Sequence, residues 1–294
     1  MRTLTYIAAE DDDGRLIKRV VRTKLSLSSH QLARAKANGT LLVNGVSVHA
    51  DYKVKSGETI TITLTDDEPD FTVMPEDKPV NILFEDEDLI IIDKEAPLPT
   101  QSSPKQPDNT LENRLMHIYR DTPGFVFRPV NRLDKGTSGL MAAAKNAHAQ
   151  MLLSKQLHTP DFVREYLAVT DGIPNPALGV IDLPIGKADG ATVRREVRPD
   201  GKSCRTHYET ILVNNNRALV HLRLETGRTH QIRVHMSAIG CPVFGDFLYG
   251  TEENDILPER FALHSAHMRF IHPLSGKEMI FDSRLPEALK NLIE

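Results

Sequence analysis

The stretch PVNRLDKGTSGL, residues 129–140, sets Arg132 and Asp134 on either side of Leu133 and then runs into Gly136 and Gly139 around a Thr-Ser pair. Glycine permits backbone angles that other residues avoid, and Thr137 and Ser138 can hydrogen-bond locally. Asp134 is therefore expected at a strand end or turn and not inside a helix. If the segment is extended, alternate side chains share a side, so Arg132 and Asp134 face one way while Leu133 turns into the core. A lone turn aspartate usually caps its own backbone; the surrounding sequence decides whether this one does more.

A chain of 294 residues can form a large and a small domain and bury a core without covalent staples. With 40% hydrophobic and 26% charged residues it reads as an ordinary globular protein. The two cysteines, Cys204 and Cys241, give neither a disulfide framework nor a close metal-type pair, which suits a reducing cytoplasm. The start, MRTLTYIAAEDDDGR, lacks an apolar core followed by a small-residue cleavage site, and no later run approaches the ~18 apolar residues of a membrane span. A cytoplasmic protein without a membrane partner is expected.

Net charge is only −4, but its distribution is uneven. Residues 15–56 carry nine basic residues (Arg15, Lys18, Arg19, Arg22, Lys24, Arg34, Lys36, Lys53, Lys55) against the single acid Asp51, whereas residues 66–95 carry twelve acids against Lys78 and Lys94. A basic module followed by an acidic connector suits a local polyanion contact, set against the plainer reading of a solvated charged surface. Within the basic module, Leu16, Ile17, Val20, Val21 and Leu25 recur at helical spacing with cations between them. Ser28 and Ser29 are N-cap residues for HQLARAKANG, which Gly39 ends. Asn44-Gly45 between β-branched residues signals a hairpin, and Ile60, Ile62 and Leu64 alternate with threonines as in a half-exposed strand.

This order, with GRL, SSxxLARAxxNGTLLVNG and the following strand, resembles the S4 RNA-binding domain over residues 14–64. The resemblance implies RNA contacts from Arg15, Lys18, Arg19, Arg22, Arg34 and Lys36. Residues 66–79, acidic and with three prolines, read as a linker. Beyond it, NILF and DLIII flank the acidic turn Glu85–Asp88. FVREYLAVTDG, ALVHLRLETG and HMRFIHP read as strands, while AHAQMLLSKQLH and THQIRVHMSAIG read as helices. The strands do not alternate regularly with helices, so an α+β domain with a mixed, largely antiparallel sheet is expected over residues 80–294, behind a small domain over residues 1–65.

NRLDKGTSGLMAAAKN (131–146), FVREYLAV (162–169), TGRTHQIRVHMSAIGCPVFGDFLYG (226–250) and ALHSAHMRFIHPLSGKEMIFDSRLP (262–286) resemble, in order, the successive motifs of the RluA-type pseudouridine synthases. The module in front matches the large-subunit ribosomal RNA branch. The resemblance implies a cofactor-independent isomerase in which Asp134 is the catalytic aspartate. A carboxylate suits breakage of the uridine N1–C1′ bond because it can trap or stabilise an oxocarbenium-like centre or remove a ribose proton, and both routes stay open. A carboxylate in a water-poor site needs a fixed cation. GRTHQIR offers Arg228 and Arg233, and the family pattern points to Arg233 as the partner. By the same resemblance Tyr166 stacks on the base and helps take the C5 proton, and Arg132 acts where the uridine leaves its stack. Arg228 is carried as an RNA contact. Asn131 stands where the family usually has His, and it cannot titrate near neutrality.

The seven histidines between 207 and 272 do not show the HExxH spacing and lack a Cys cluster, so no metal is expected. GTSG lacks the serine-hydrolase elbow, and no P-loop or GxGxxG is present. Expected, then, is a monomeric RNA-modifying enzyme acting on ribosomal RNA ahead of transfer RNA. A catalytically silent RNA-binding or ribosome-assembly factor, a tRNA-directed synthase and an RNA N-glycosidase are the competing readings.

Overall fold

The computed structural model describes residues 2–65 and 73–294; residues 66–72, the first half of the expected linker, lie outside the described residues. Residues 2–64 build β1 (Arg2–Ile7), α1 (Ile17–Lys24), α2 (Ser29–Ala37), β2 (Leu41–Val43), β3 (Val46–Ser47) and β4 (Thr59–Leu64). The strands form an antiparallel sheet ordered β1-β4-β2-β3 with an apolar core of its own. Helix α1 buries Ile17, Val20 and Val21 and leaves Lys18, Arg19 and Arg22 exposed, because residues three and four apart share a helix face. Ser28 caps α2: its Oγ accepts the Gln31 N–H at 3.1 Å, and Gln31 Oε1 accepts the Ser28 N–H at 2.9 Å. Asn44 and Gly45 both have positive φ, 48° and 81°, as the two-residue turn between β2 and β3 requires. In β1 only Leu4 is buried, which is why that strand leaves little trace in the sequence.

The rest of the chain forms β5 (Ile82–Glu85), β6 (Leu89–Lys94), α3 (Leu111–Ile118), β7 (Arg128–Pro129), β8 (Ser138–Ala144), α4 (Ala147–Gln156), β9 (Val163–Asp171) and β10 (Leu178–Asp182). These are followed by β11 (Ile185–Lys187), β12 (Arg195–Val197), β13 (Arg205–Asn214), β14 (Arg217–Leu224), α5 (Gln231–Ala238), β15 (Leu263–Ile271), β16 (Glu278–Asp282) and α6 (Glu287–Lys290). A ten-stranded sheet runs β10-β13-β14-β9-β15-β8-β6-β5, with β16 on β15 and β7 on β8, while β11 and β12 form a separate ribbon. Residues 73–79, expected as the end of the linker, are irregular but tied to α3: Asn113 Nδ2 donates to Met74 O at 2.8 Å.

The central strands are covered on both faces. Along β6, Ile90 and Ile92 join one apolar cluster with Leu111 and Leu115 of α3 and Ile232 and Met236 of α5, while Leu89 and Ile91 join a second with Ala149 and Leu153 of α4. β8 alternates likewise, Met141 and Ala143 against Leu140, Ala142 and Ala144. Burial on both faces explains why DLIII and GLMAAA are uninterrupted apolar runs and not alternating ones.

All pairings in the large sheet are antiparallel except β8 with β15, where His264 lies opposite Ser138 and Ser265 opposite Gly139. Gly139 has φ +103°, and a Cβ there would stand 2.2 Å from the Ser265 carbonyl oxygen. The glycine thus lets two backbones meet at the head of the strand that follows Asp134. Gly136 keeps out of the left-handed region, contrary to the expectation for it; it is small because a Cβ would meet the Phe261 ring at 2.7 Å. Gly139→Ala is expected to lower stability by at least ~3 kcal/mol through combined strain and overlap, read as a drop in the urea midpoint at unchanged m-value.

Candidate active site

Asp134 sits in the loop between β7 and β8, which is pinned from both sides. Val130 N donates to Ala142 O at 2.8 Å, and Asn131 Oδ1 accepts the Ala142 N–H at 2.9 Å. Thr100 Oγ1 donates to Leu133 O at 2.7 Å, and Leu98 N donates to Lys135 O at 2.9 Å. Thr137 N returns to Asp134 O at 3.1 Å, closing the turn before β8. Leu133 is buried, Arg132 is exposed, and the Asp134 side chain is 29% exposed.

Of the two arginines in GRTHQIR, Arg233 reaches the aspartate: its Nη1 donates to Asp134 Oδ2 at 2.9 Å. Arg228 turns instead to Ser203 O, at 3.4 Å from both Nε and Nη2. The far edge of Arg233 is held in two places by Asp246, Nε to Oδ2 at 2.7 Å and Nη2 to Oδ1 at 2.8 Å. Asp246 Oδ1 also accepts the Leu248 and Tyr249 N–H groups at 3.0 and 3.2 Å. The guanidinium lies over the rings of Phe261 at 4.1 Å and Tyr249 at 5.1 Å. Burial works against its charge, but the two carboxylates, Asp246 ahead of Asp134, outweigh burial and hold Arg233 above its ordinary range.

His230, at the N-terminal cap of α5 with φ 59°, stands 3.8 Å from Asp134 Oδ2 through Nε2. Tyr249 Oη accepts the Arg195 N–H at 2.9 Å and lies 2.8 Å from His230 Nδ1. A neutral imidazole that keeps its proton on Nε2, facing the Asp134 carboxylate, accepts the phenol proton at Nδ1. Burial pushes the His230 imidazole below its usual range and favours this neutral form. Gln231 fixes the approach to α5: its Oε1 accepts from Thr226 Oγ1 and Arg228 N, and its Nε2 donates to Arg205 O and Thr206 Oγ1, all within 3.0 Å.

Tyr166 lies on β9, opposite Ser265 and Leu222 on the flanking strands, and is buried. Burial raises its phenol above the ordinary range, with Arg164 and Ser265 pulling it back. Lys94, buried at the end of β6, donates to Leu98 O at 2.7 Å and Glu95 O at 2.9 Å. Burial lowers it to about 7, against the pull of Asp134.

Asp134, Tyr166 and His230 open onto a cleft of about 670 Å³. Its walls include Arg132, Asp134, Arg164, Tyr166, Arg228 and His230, with Gln150 of α4 at one side. A neighbouring pocket of about 70 Å³ shares Arg132, Asp134, Tyr166 and His230 with it and adds Arg233, Ile232 and Leu263. A second groove, about 770 Å³, lies on the N-terminal unit and brings together Arg15, Lys18, Arg19, Arg22 and Lys36 with Lys155 of α4. Arg15 also pairs with Asp12 at 3.1 Å. Arg34 lines a different, smaller pocket, shared with Arg128 and Ala147 between the two units.

Asp246 and Lys94 escape a reading of the sequence. Asp246 is a single acid in the otherwise apolar VFGDFLYG, and that isolation is the one signal it gives. The histidines do not gather: His235 is held by Thr206 Oγ1 and Leu183 O at 2.9 Å, and His264 by Ser138 Oγ at 2.9 Å. Asp86, Asp88 and His272 do lie close enough to share an ion, but on the β5–β6 side and not on the cleft, and Asp88 already pairs with Arg2 at 2.9 Å.

Comparison with known proteins agrees with this architecture. The RNA pseudouridylate synthase family profile matches residues 88–238. An uncharacterized RNA pseudouridine synthase of Bacillus subtilis is 36% identical over 92% of this chain and 96% of its own length. The ribosomal large subunit pseudouridine synthase D of Escherichia coli is 38% identical over 86% of this chain and 82% of its own. The solved structure of human RNA pseudouridylate synthase domain containing 1 superposes with a TM-score of 0.58 at 24% identity, over 71% of this chain and 87% of that one, a likeness of fold. No helix among the described residues is long and apolar enough to cross a membrane. From the extent of these matches, the chain belongs to the RNA pseudouridine synthase family, in its RluA-type branch, and is an RNA-modifying isomerase.

Proposed function

We propose that this enzyme converts uridine to pseudouridine in large-subunit ribosomal RNA, with Asp134 as its catalytic carboxylate. The observation that carries the reading is the line Asp246–Arg233–Asp134, which ends in a cleft that Tyr166 also lines. Arg233 and His230 both address Asp134 Oδ2, so among the described residues Oδ1 has no protein donor and is the oxygen offered to substrate. Isomerisation breaks N1–C1′, turns the uracil, joins C5 to C1′, moves the C5 proton away and protonates N1. Atoms balance within the nucleotide, so no co-reactant is consumed. The carboxylate carries the ribose through the interval between the two bonds, by adding to C1′ or by taking a ribose proton. Tyr166 supplies a face against which the free uracil turns and a hydroxyl for the C5 proton. Arg132 enters the stack that the uridine leaves, and Arg228 binds the RNA backbone.

The ribosomal target rests on the names of the Escherichia coli and Zymomonas mobilis relatives, both ribosomal large subunit pseudouridine synthase D. We further assign residues 1–65 as an S4-like RNA-binding domain, 66–79 as the connector and 80–294 as the catalytic domain of a cytoplasmic monomer. The basic groove supports the first assignment, and α4 supports coupling between the two: Lys155 lines the groove and Gln150 the cleft.

Asp134→Asn is expected to bind ribosomal RNA normally and form no pseudouridine, measured by carbodiimide primer-extension stops; product from this variant would overturn the assignment. Asp246→Asn should keep RNA affinity and slow conversion by ~10- to 100-fold, because Arg233 loses its charged anchor. For Tyr166→Phe the expected pattern is retained binding with conversion slowed by about 100-fold or more, the usual weight of a positioned group in proton transfer, here a neutral hydroxyl that relays the C5 proton. Replacing Lys18, Arg19 and Arg22 together by Ser should flatten the log–log salt slope of RNA binding by ~2 to 3. An unchanged slope would remove the groove from the interface.

A further inference from the structure

One side chain of the cleft has no place in the chemistry described above. Arg164 is only 4% exposed, yet no carboxylate among the described residues pairs with it. Among the described residues its one protein acceptor is Leu157 O, at a long 3.5 Å from Nη2, and its buried Nε has none. The other contact is apolar: the guanidinium lies 5.9 Å from the Phe162 ring centroid. Arg114 and Arg233, buried to similar depth, hold carboxylates at 2.7 Å, Glu95 and Asp246 respectively. A buried guanidinium retains its charge but loses the water that would solvate it, and proteins normally answer with an anion.

The geometry says where that anion comes from. Arg164 and Tyr166 are alternate residues of β9, so their side chains share a face, and both line the cleft. Gly227, also on the cleft wall, makes room for the guanidinium beside it: a Cβ there would stand 2.8 Å from Arg164 Nη1. A flat, five-donor cation in such a site is suited to grip two oxygens of one phosphate.

We propose that Arg164 forms a phosphate subsite which takes a backbone phosphate adjoining the target uridine, once that nucleotide is in the cleft. This rests on the cleft being the uridine site. The anion that the fold leaves out is then supplied by the substrate, and the guanidinium fixes the ribose–phosphate backbone two residues along β9 from the tyrosine under the base.

The test uses the full-length enzyme and a synthetic RNA hairpin copied from large-subunit ribosomal RNA, with each phosphate within two nucleotides of the uridine replaced in turn by a neutral methylphosphonate. Affinity is read by filter binding, and conversion separately. For the wild type, one linkage next to the uridine should weaken binding by ~10- to 100-fold, the worth of a charge-assisted hydrogen-bonded contact. Arg164→Met should weaken binding of the unmodified RNA by a similar factor, hold kcat within about threefold, and no longer respond to that linkage while responding to the others. If it responds as the wild type does, or loses kcat at unchanged affinity, Arg164 serves Tyr166 or the fold and the subsite is wrong. Should Arg164→Met not melt cooperatively, Gly227→Ala takes its place. It keeps the charge and displaces only the end of the arginine; it should lose sensitivity to the same linkage, and full sensitivity overturns the proposal. A flat scan in a wild type that converts the RNA rejects the subsite alone; a wild type that binds with the expected linkage dependence but forms no pseudouridine rejects the assigned substrate alone.

Discussion

The position of Asp134 depends on how a single guanidinium is compensated. Arg233 is almost wholly buried, and an uncompensated charge there would cost several kcal/mol. Asp246, itself inaccessible, takes two of its nitrogens, Nε and Nη2, and is fixed in turn by the Leu248 and Tyr249 amides. What remains of Arg233 is Nη1, and that points at Asp134. The carboxylate that meets solvent is therefore aimed by one that never does. Rings of Phe261 and Tyr249 against the guanidinium keep the arginine from swinging away, and Tyr249 also shares a hydrogen bond with His230. Five side chains from α5, the turn after it and the head of β15 thus act on one oxygen of a loop that precedes β8.

That loop is steady because the sheet beneath it is covered on both sides. β8 carries it into the centre of the large sheet, where Gly139 lets the strand run parallel to β15 at close range. His264 bridges the same crossing, taking the Ser138 hydroxyl proton on Nδ1 and donating Nε2–H to Ser283 O at 3.2 Å. Burial lowers this imidazole, so it holds the strands together as a neutral linker. Asn131 has a comparable part: its amide oxygen binds the Ala142 N–H, a bond that a neutral side chain supplies without any titration. The departure from histidine at this position thus falls on an anchor of the loop.

Much of this was legible in the residues. Alternation in TITITL, the Asn-Gly turn, the capping serine before HQLARAKA and the apolar runs of β6 and β8 each follow from local rules, because in each the side chain and its consequence lie within a few residues. The irregular succession of strand and helix patterns carried the fold class, and the order of NRLD, REYL and GRTHQIR carried the family resemblance. What was not legible depends on contacts between distant segments. Asp246 acts through Arg233, thirteen residues away. Gly136 was read for its backbone freedom and serves for space against Phe261, a distinction that needs the facing strand. The parallel pairing of β8 with β15 joins residues more than a hundred positions apart, and no periodicity predicts it.

The dimensions of the cleft bear on selectivity. A volume of about 670 Å³ is that of a small-molecule site, enough for one nucleotide and little of its surroundings. Every uridine presents the same base and ribose, so a cleft of this size, taken as the proposed uridine site, gives little ground for preferring one uridine over another. Discrimination has to come from RNA held outside it and from the cost of extruding a given base from its stack. Helix α4 is the element that touches both places, with Gln150 at the cleft and Lys155 at the basic groove one and a half turns later. It is packed through Ala149 and Leu153 onto the same β8 that positions Asp134. On the proposed assignments, an RNA seated along the groove would be registered against Asp134 through rigid secondary structure, and the spacing between groove and cleft, more than the pocket itself, would measure out the target.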